Sequence, residues 1–266
     1  MFHLTYHRPT SVEDAVHFFT NGADAKFLAG GQTLLPTMKQ RLAAPSDVID
    51  LRHISALMGI GSTEEQLTIG AAVTHAEVAA SQQVKQTLPA LAELAAHIGD
   101  PHVRHMGTLG GSIANNDPAA DYPAAALALA ATIHTNSRTI AAEDFFTGLF
   151  ETDLQEGELI TKVDFKIPTK AAYAKFANPA SRYAMAGVFV ARYADEHVIV
   201  AVTGAGSDGV FRHRDMEAAL SDDWSVEALT PTSMNESDLL SDIHGSAAYR
   251  ANLVKVMAQK AMKTMI

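Results

Sequence analysis

Two stretches carry the residue types on which ligand chemistry could be built: AGGQTLLP, residues 29–36, and GTLGGSIAN, residues 107–115. Each sets two adjacent glycines just ahead of helical spacing, with Gln32 and Thr33, or Thr108 and Ser112, alongside. Backbone N–H groups in a tight glycine turn converge on a concavity suited to an anion, and a following helix N-terminus adds partial positive charge. Glycine belongs there because a Cβ would block both the turn and a ligand's approach. Two such nests predict a place for two phosphates, or for one pyrophosphate clasped from both sides. Taken singly, each pair is more often only a tight turn. Neither stretch has the spacing of a Walker loop or of G-x-G-x-x-G, so a standard Rossmann domain is not indicated.

Other groupings are weaker. His97, His102 and His105 cluster beside Asp100 in HIGDPHVRHMG, but His-x-x-His spacing on a loop is unspecific, and no metal is expected. RHRDMEAAL, from Arg212, reads as a solvated turn before a helix, and GAGSDG, 204–209, as a hairpin turn despite its likeness to a phosphate loop. No Ser/His/Asp arrangement has a recognisable context, so hydrolysis has no support. The chain has no cysteine, which excludes disulfides, a thiolate nucleophile, cysteine-ligated clusters and a cysteinyl flavin.

With 266 residues, 47% of them hydrophobic, the chain can bury a substantial core in one large domain or two to three small ones. Thirty acidic against twenty basic residues give a net charge of −10 without a Lys/Arg stripe, which argues against nucleic acid. No apolar run reaches membrane-spanning length, and the charged opening MFHLTYHRPTSVEDA does not read as a signal peptide. A cytoplasmic protein without an integral membrane segment is expected.

The elements that must position the glycines follow from periodicity and punctuation. Residues 1–56 read as a β-α-β-like unit: a strand, a helix capped by Ser11 and stopped at Asn21-Gly22, the strand AKFL ending on Gly30-Gly31, and the strand DVIDL. Residues 57–169 read as a second α+β part: a strand into a helix near Thr74, the helix PALAELAA, the second glycine stretch, an alanine-rich helix, and strands TIHTN and LITKVDFKIP. Residues 170–266 alternate strand-like runs with Gly, Asn and Asp turns, predicting a sheet of hairpins, and end in two helices. A strand leading into a glycine pair is read twice, at Gly30 and at Gly110.

The stretches AGGQTLLPTMKQRLAAPSDVIDLRHI, LTIGAAVTHAEV and DPHVRHMGTLGGSIANNDPAADYPAA, in this order, resemble the FAD-binding medium subunit of molybdenum hydroxylases. Aerobic carbon monoxide dehydrogenase is the nearer kind and the flavin domain of xanthine dehydrogenase the more distant. The resemblance implies an α+β fold, with a two-subdomain FAD-binding part of the vanillyl-alcohol-oxidase/PCMH type and a C-terminal domain of antiparallel sheet plus helices. It implies noncovalent FAD whose pyrophosphate lies on Ala29, Gly30, Gly31, Gln32, Thr33 and Leu34 and on Thr108, Leu109, Gly110, Gly111 and Ser112. Asp121 then takes the ribityl hydroxyls, Ile98 and Ile160 flank the adenine, and Lys175 and Tyr183 stand at the flavin ring. Read without the resemblance, Asp121 is a helix N-cap, the isoleucines are core, and Lys175 and Tyr183 are ordinary strand residues.

The resemblance further implies an electron-transfer subunit working with a large molybdopterin-binding subunit and a small subunit holding two [2Fe–2S] clusters, as a dimer of heterotrimers. This sequence departs from the pattern at Asn178 and Arg182, where related chains often carry Arg and Asp, so the acceptor cannot be carried over. Two rival readings are a self-contained flavin oxidoreductase and a nucleotide-binding assembly protein without activity. Exposed apolar faces around Leu253, Val254, Val256 and Met257 would favour the multi-subunit reading, although their spacing suits a core face equally.

Overall fold

The computed structural model describes residues 2–266. Ser11 caps the helix Val12–Asn21 by accepting from the Asp14 N–H, and Gly22 ends it by donating back to the Phe18 and Phe19 carbonyls. Strands β1 (Thr5–His7), β2 (Ala25–Leu28) and β3 (Asp47–Asp50) pair in parallel in the order β1-β3-β2. Parallel neighbours need crossovers. The helices Val12–Asn21 and Leu34–Lys39 supply them.

Next come β4 (Ile60–Ser62), β5 (Gln66–Gly70), β6 (Thr132–Thr135), β7 (Thr139–Ala141), the small pair β8 (Phe146–Gly148) and β9 (Glu151–Thr152), and β10 (Ile160–Lys166). All but the small pair form one antiparallel sheet in the order β4-β5-β10-β6-β7. The connection from β5 to β6 holds the helices, beginning with His75–Ala80, which Thr74 and Glu77 start as a reciprocal capping box.

The third sheet is an antiparallel meander of β11 (Lys170–Ala177), β12 (Ala184–Arg192), β13 (Val198–Thr203) and β14 (Phe211–Arg212). Period-2 alternation sends Val188, Val190, Val200 and Val202 into one core, shared with the helices Arg214–Asp222 and Ala247–Lys263. Phe189, Ala191, Ile199 and Ala201 face the other core. There the helix Tyr122–Ala128 packs against β12 and β13 with all seven residues buried. Its alanines let it be buried on every side at close range. The fold class is α+β, as the resemblance implies.

Three details differ from the sequence reading. The second glycine pair follows the helix Pro101–Met106, not a strand, and lies inside the helix Leu109–Asn115. Asp100 starts the former by accepting from the Val103 N–H, so His102 and His105 sit on a helix and not on a loop. On the C-terminal helix Leu253, Val254 and Met257 are core, leaving only Val256 of that group exposed. No helix among the described residues is long and apolar enough to cross a membrane.

Candidate functional site

The two glycine motifs face one another across a cleft of about 640 Å³, within the ~300–1,000 Å³ range of small-molecule and cofactor sites. Its walls come from the loop after β2, the end of β5, the segment 98–121, the stretch before β10 and the turn before β12. Of the predicted site residues, Ala29, Gly30, Gly31, Gln32, Thr33, Leu34, Ile98, Thr108, Gly110, Gly111, Ser112, Asp121, Ile160 and Tyr183 all line it. Leu109 and Lys175 do not. Leu109 is fully buried in the core, and Lys175 is turned onto Asp121.

The motifs bring the chain close in different ways. A Cβ on Gly30 would stand 2.1 Å from the Met106 carbonyl oxygen and 2.6 Å from Gly107 Cα. Gly30 is therefore required where the first loop crosses the second, before any ligand is considered. Gly31 has φ +70°, a left-handed turn that glycine adopts freely. Through this turn the backbone N–H groups of Gly30, Gly31, Gln32 and Thr33 find no hydrogen-bond acceptor among the described residues. Thr33, at the N-cap of the helix Leu34–Lys39, makes no side-chain cap. The first loop is an open nest.

The second motif is not. The Leu109 and Gly110 N–H groups donate to the Val73 and Ala71 carbonyls, and the Gly111 N–H to Thr108 Oγ1. Ser112 N–H returns to the Thr108 carbonyl. A Cβ on Gly110 would meet Ala71 at 2.6 Å, so this glycine serves the close packing of its helix on the turn that follows β5. The expected symmetric clasp is thus one open nest faced by a polar wall.

Asp121 is 3% exposed and Lys175 6% at the side chain. Lys175 Nζ donates to Asp121 Oδ1 at 2.9 Å, to Oδ2 at 3.0 Å and to the His97 carbonyl at 2.9 Å. The Tyr173 hydroxyl also donates to Oδ1. Asp121 makes no helix cap. Burial pushes its carboxyl up, against the opposing pull of the Lys175 charge and the Tyr173 hydroxyl. Burial likewise raises Tyr173 well above its ordinary range, and burial with the nearby Asp117 and Asp121 raises Tyr183. Tyr183, 49% exposed at the cleft edge, follows Arg182, whose φ is +63°. Asn178 shapes that turn, its Oδ1 accepting from the Ala180 and Ser181 N–H groups.

The sequence reading did not single out Tyr173, Asp117, Leu57 or His75, although the last three line the cleft. His75 was within reach, because LTIGAAVTHAEV is one of the resembling stretches. Tyr173 was not: its partner is 52 residues away in sequence. His97 and His105 each direct Nδ1 to a backbone carbonyl one helical turn earlier, at 2.8 and 2.7 Å.

Residues 2–170 match the family described as the FAD binding domain in molybdopterin dehydrogenase. The chain belongs to this family. It is similar to the nicotine 6-hydroxylase medium subunit of Paenarthrobacter nicotinovorans, 36% identical over 97% of this chain and 96% of that one. The carbon monoxide dehydrogenase medium chain of Hydrogenophaga pseudoflava is 33% identical over 97% and 95% of the two chains. The crystal structure of quinoline 2-oxidoreductase from Pseudomonas putida 86 superposes with a TM-score of 0.89 at 29% identity, covering 99% of this chain and 97% of that one. As a family member the chain is an FAD-binding oxidoreductase component of the molybdenum hydroxylase kind. Its residues fit that cofactor: unspent amides suit a diphosphate, apolar Ile98 and Ile160 suit a planar base, and buried Asp121 suits sugar hydroxyls.

Proposed function

We propose that this chain is the electron-transferring flavin subunit of a molybdenum hydroxylase complex. The observation that carries the reading is the run of four unspent backbone N–H groups, Gly30 to Thr33, on the wall of a cleft whose other residues are mostly apolar. Those amides hold the diphosphate, while Thr108, Gly111 and Ser112 close the cleft from the facing side. Ile98 and Ile160 flank the adenine. Asp121 Oδ2, with a single protein donor, accepts from the ribityl hydroxyls. Tyr183 covers one face of the ring. Lys175 works at one remove, by keeping the Asp121 carboxylate charged and fixed.

When bound, FAD supplies one- and two-electron redox chemistry. The chain's own residues bind, orient and shield it, and none has to act as acid or base. Three parts, residues 1–56, 57–169 and 170–266, share this work. The partners are a large molybdopterin-binding subunit and a small subunit with two [2Fe–2S] clusters, in a cytoplasmic dimer of heterotrimers. The absence of cysteine supports placing the clusters on a partner. The medium-subunit and medium-chain names of the relatives support the assembly. In such a complex this chain would hold the flavin that takes electrons from the nearer cluster and gives them to an external acceptor.

The test is an absorbance spectrum of the purified chain before and after adding FAD. Flavin bands that copurify or appear on titration, that weaken in Gly111→Val, and that bleach with dithionite without turnover of a substrate are expected. Turnover by the isolated chain would favour a self-contained oxidoreductase. No flavin binding, alone or with co-expressed partners, would refute the proposal.

A further inference from the structure

We propose that His75 is a further cofactor contact, its imidazole donating a hydrogen bond to the anionic diphosphate–ribose stretch of the flavin nucleotide. The inference rests on reading the cleft as an FAD site. His75 is 4% exposed, yet it lines that cleft. Its Nδ1 is wholly buried without a partner, which leaves Nε2, beside Gly107 and also without a protein hydrogen bond among the described residues, as the ring nitrogen that can meet the cleft. Buried polar side chains are nearly always bonded, so a buried histidine whose Nε2 has no protein partner calls for one in the cleft. Packing alone would be served better by leucine.

The placement sets the ring against Gly107, on the same cleft as the first loop. The Thr74–Glu77 capping box fixes the helix start, and the His75 N–H donates to the Gly107 carbonyl at 2.9 Å. A Cβ on Gly107 would stand 2.6 Å from His75 Nε2, and one on Gly30 would stand 2.6 Å from Gly107 Cα. Gly107 thus lies against the first loop on one side and against His75 Nε2 on the other. Burial, with a smaller push from Arg104, pulls the imidazole down to about 4, so at neutral pH it is uncharged and carries one N–H. Behind it the Tyr122 ring lies 5.4 Å away, and the Tyr122 hydroxyl is also buried without a partner.

The experiment compares the full chain with His75→Leu and His75→Gln by FAD titration, following quenching of flavin fluorescence. His75→Leu is expected to lose about 10- to 100-fold in affinity, the size of one hydrogen bond to a charged group. His75→Gln, which keeps a donor, stays much closer to wild type. Thermal melts of the flavin-free chains show whether affinity was lost through folding; His75→Leu is expected to melt no lower than wild type. Should it not fold, nitrogen NMR of the wild-type histidines decides, with the His75 signals assigned by their absence in His75→Gln. Those signals are expected to move on adding FAD. Equal affinity in His75→Leu, or unmoved His75 signals, overturns the inference while leaving the FAD site standing. A wild-type chain that never binds FAD overturns both.

Discussion

Replacing Lys175 with methionine keeps the apolar stem and deletes the ammonium that reaches both oxygens of Asp121 at 2.9 and 3.0 Å. Both side chains are almost completely shielded, so water cannot take over the lost interaction. Removing one member of such a buried pair costs about 3–5 kcal/mol, because the other charge is left uncompensated. Asp121 has one escape, which is to take up a proton, and burial already favours that direction. Without Lys175 the folded carboxyl keeps its proton to higher pH than the unfolded one, whose pKa is about 3.9. The folded state then binds more protons, and stability falls as pH rises above that value until the folded carboxyl ionises. The penalty of Lys175→Met is therefore expected to be larger at pH 8 than at pH 5. Urea unfolding at the two pH values, followed by circular dichroism and by the fluorescence of the single tryptophan, Trp224, measures it. Adding Asp121→Asn to Lys175→Met should recover much of the loss at pH 8, since no charge remains buried. A penalty below about 1 kcal/mol at pH 8, or one larger at pH 5, would refute the account of Lys175 as the counter-charge of Asp121.

Further expectations concern the first loop and the parallel sheet. Gly31→Ala should fold at a cost of about 1–2 kcal/mol for a left-handed alanine, since its Cβ meets side chains only, Leu35 Cδ1 at 2.8 Å and Cγ at 3.0 Å and Leu28 Cδ1 at 3.1 Å, and no backbone. Gly30→Ala, aimed at the Met106 carbonyl at 2.1 Å, should abolish soluble expression, and comparing the yields of the two variants checks this. Asp50 is raised by burial, but hydrogen bonds from Arg52 and Tyr6 prevail and hold it near about 2. Its folded value is thus depressed, and the stability it contributes is present above about pH 4 and lost as pH falls through 2. The stability gap between wild type and Asp50→Asn should therefore narrow over that range in acid titrations followed by circular dichroism.

Much of the architecture was legible because local rules agreed with global ones. Ser11, Thr74 and Gly22 mark helix ends by chemistry confined to neighbouring residues, and the alternation in β12 and β13 assigns each side chain to one of two cores. The glycine pairs, and most of the residues placed on the cleft by resemblance, were legible for the same reason: a turn and a motif are local facts.

What the glycines do was decided only in three dimensions. Gly30 and Gly110 look alike in sequence, and both are required by backbone contacts, at Met106 and Ala71. Only the first loop keeps its amides free, because carbonyls of Ala71 and Val73, supplied from more than a helix away, take those of Gly110 and Leu109. The ion pair of Asp121 with Lys175 spans 54 residues, and no spacing rule predicts it. The sequence by itself determined which residues could meet a diphosphate. Tertiary structure decided which are free to do so, since hydrogen-bond capacity is shared among segments that only folding brings together.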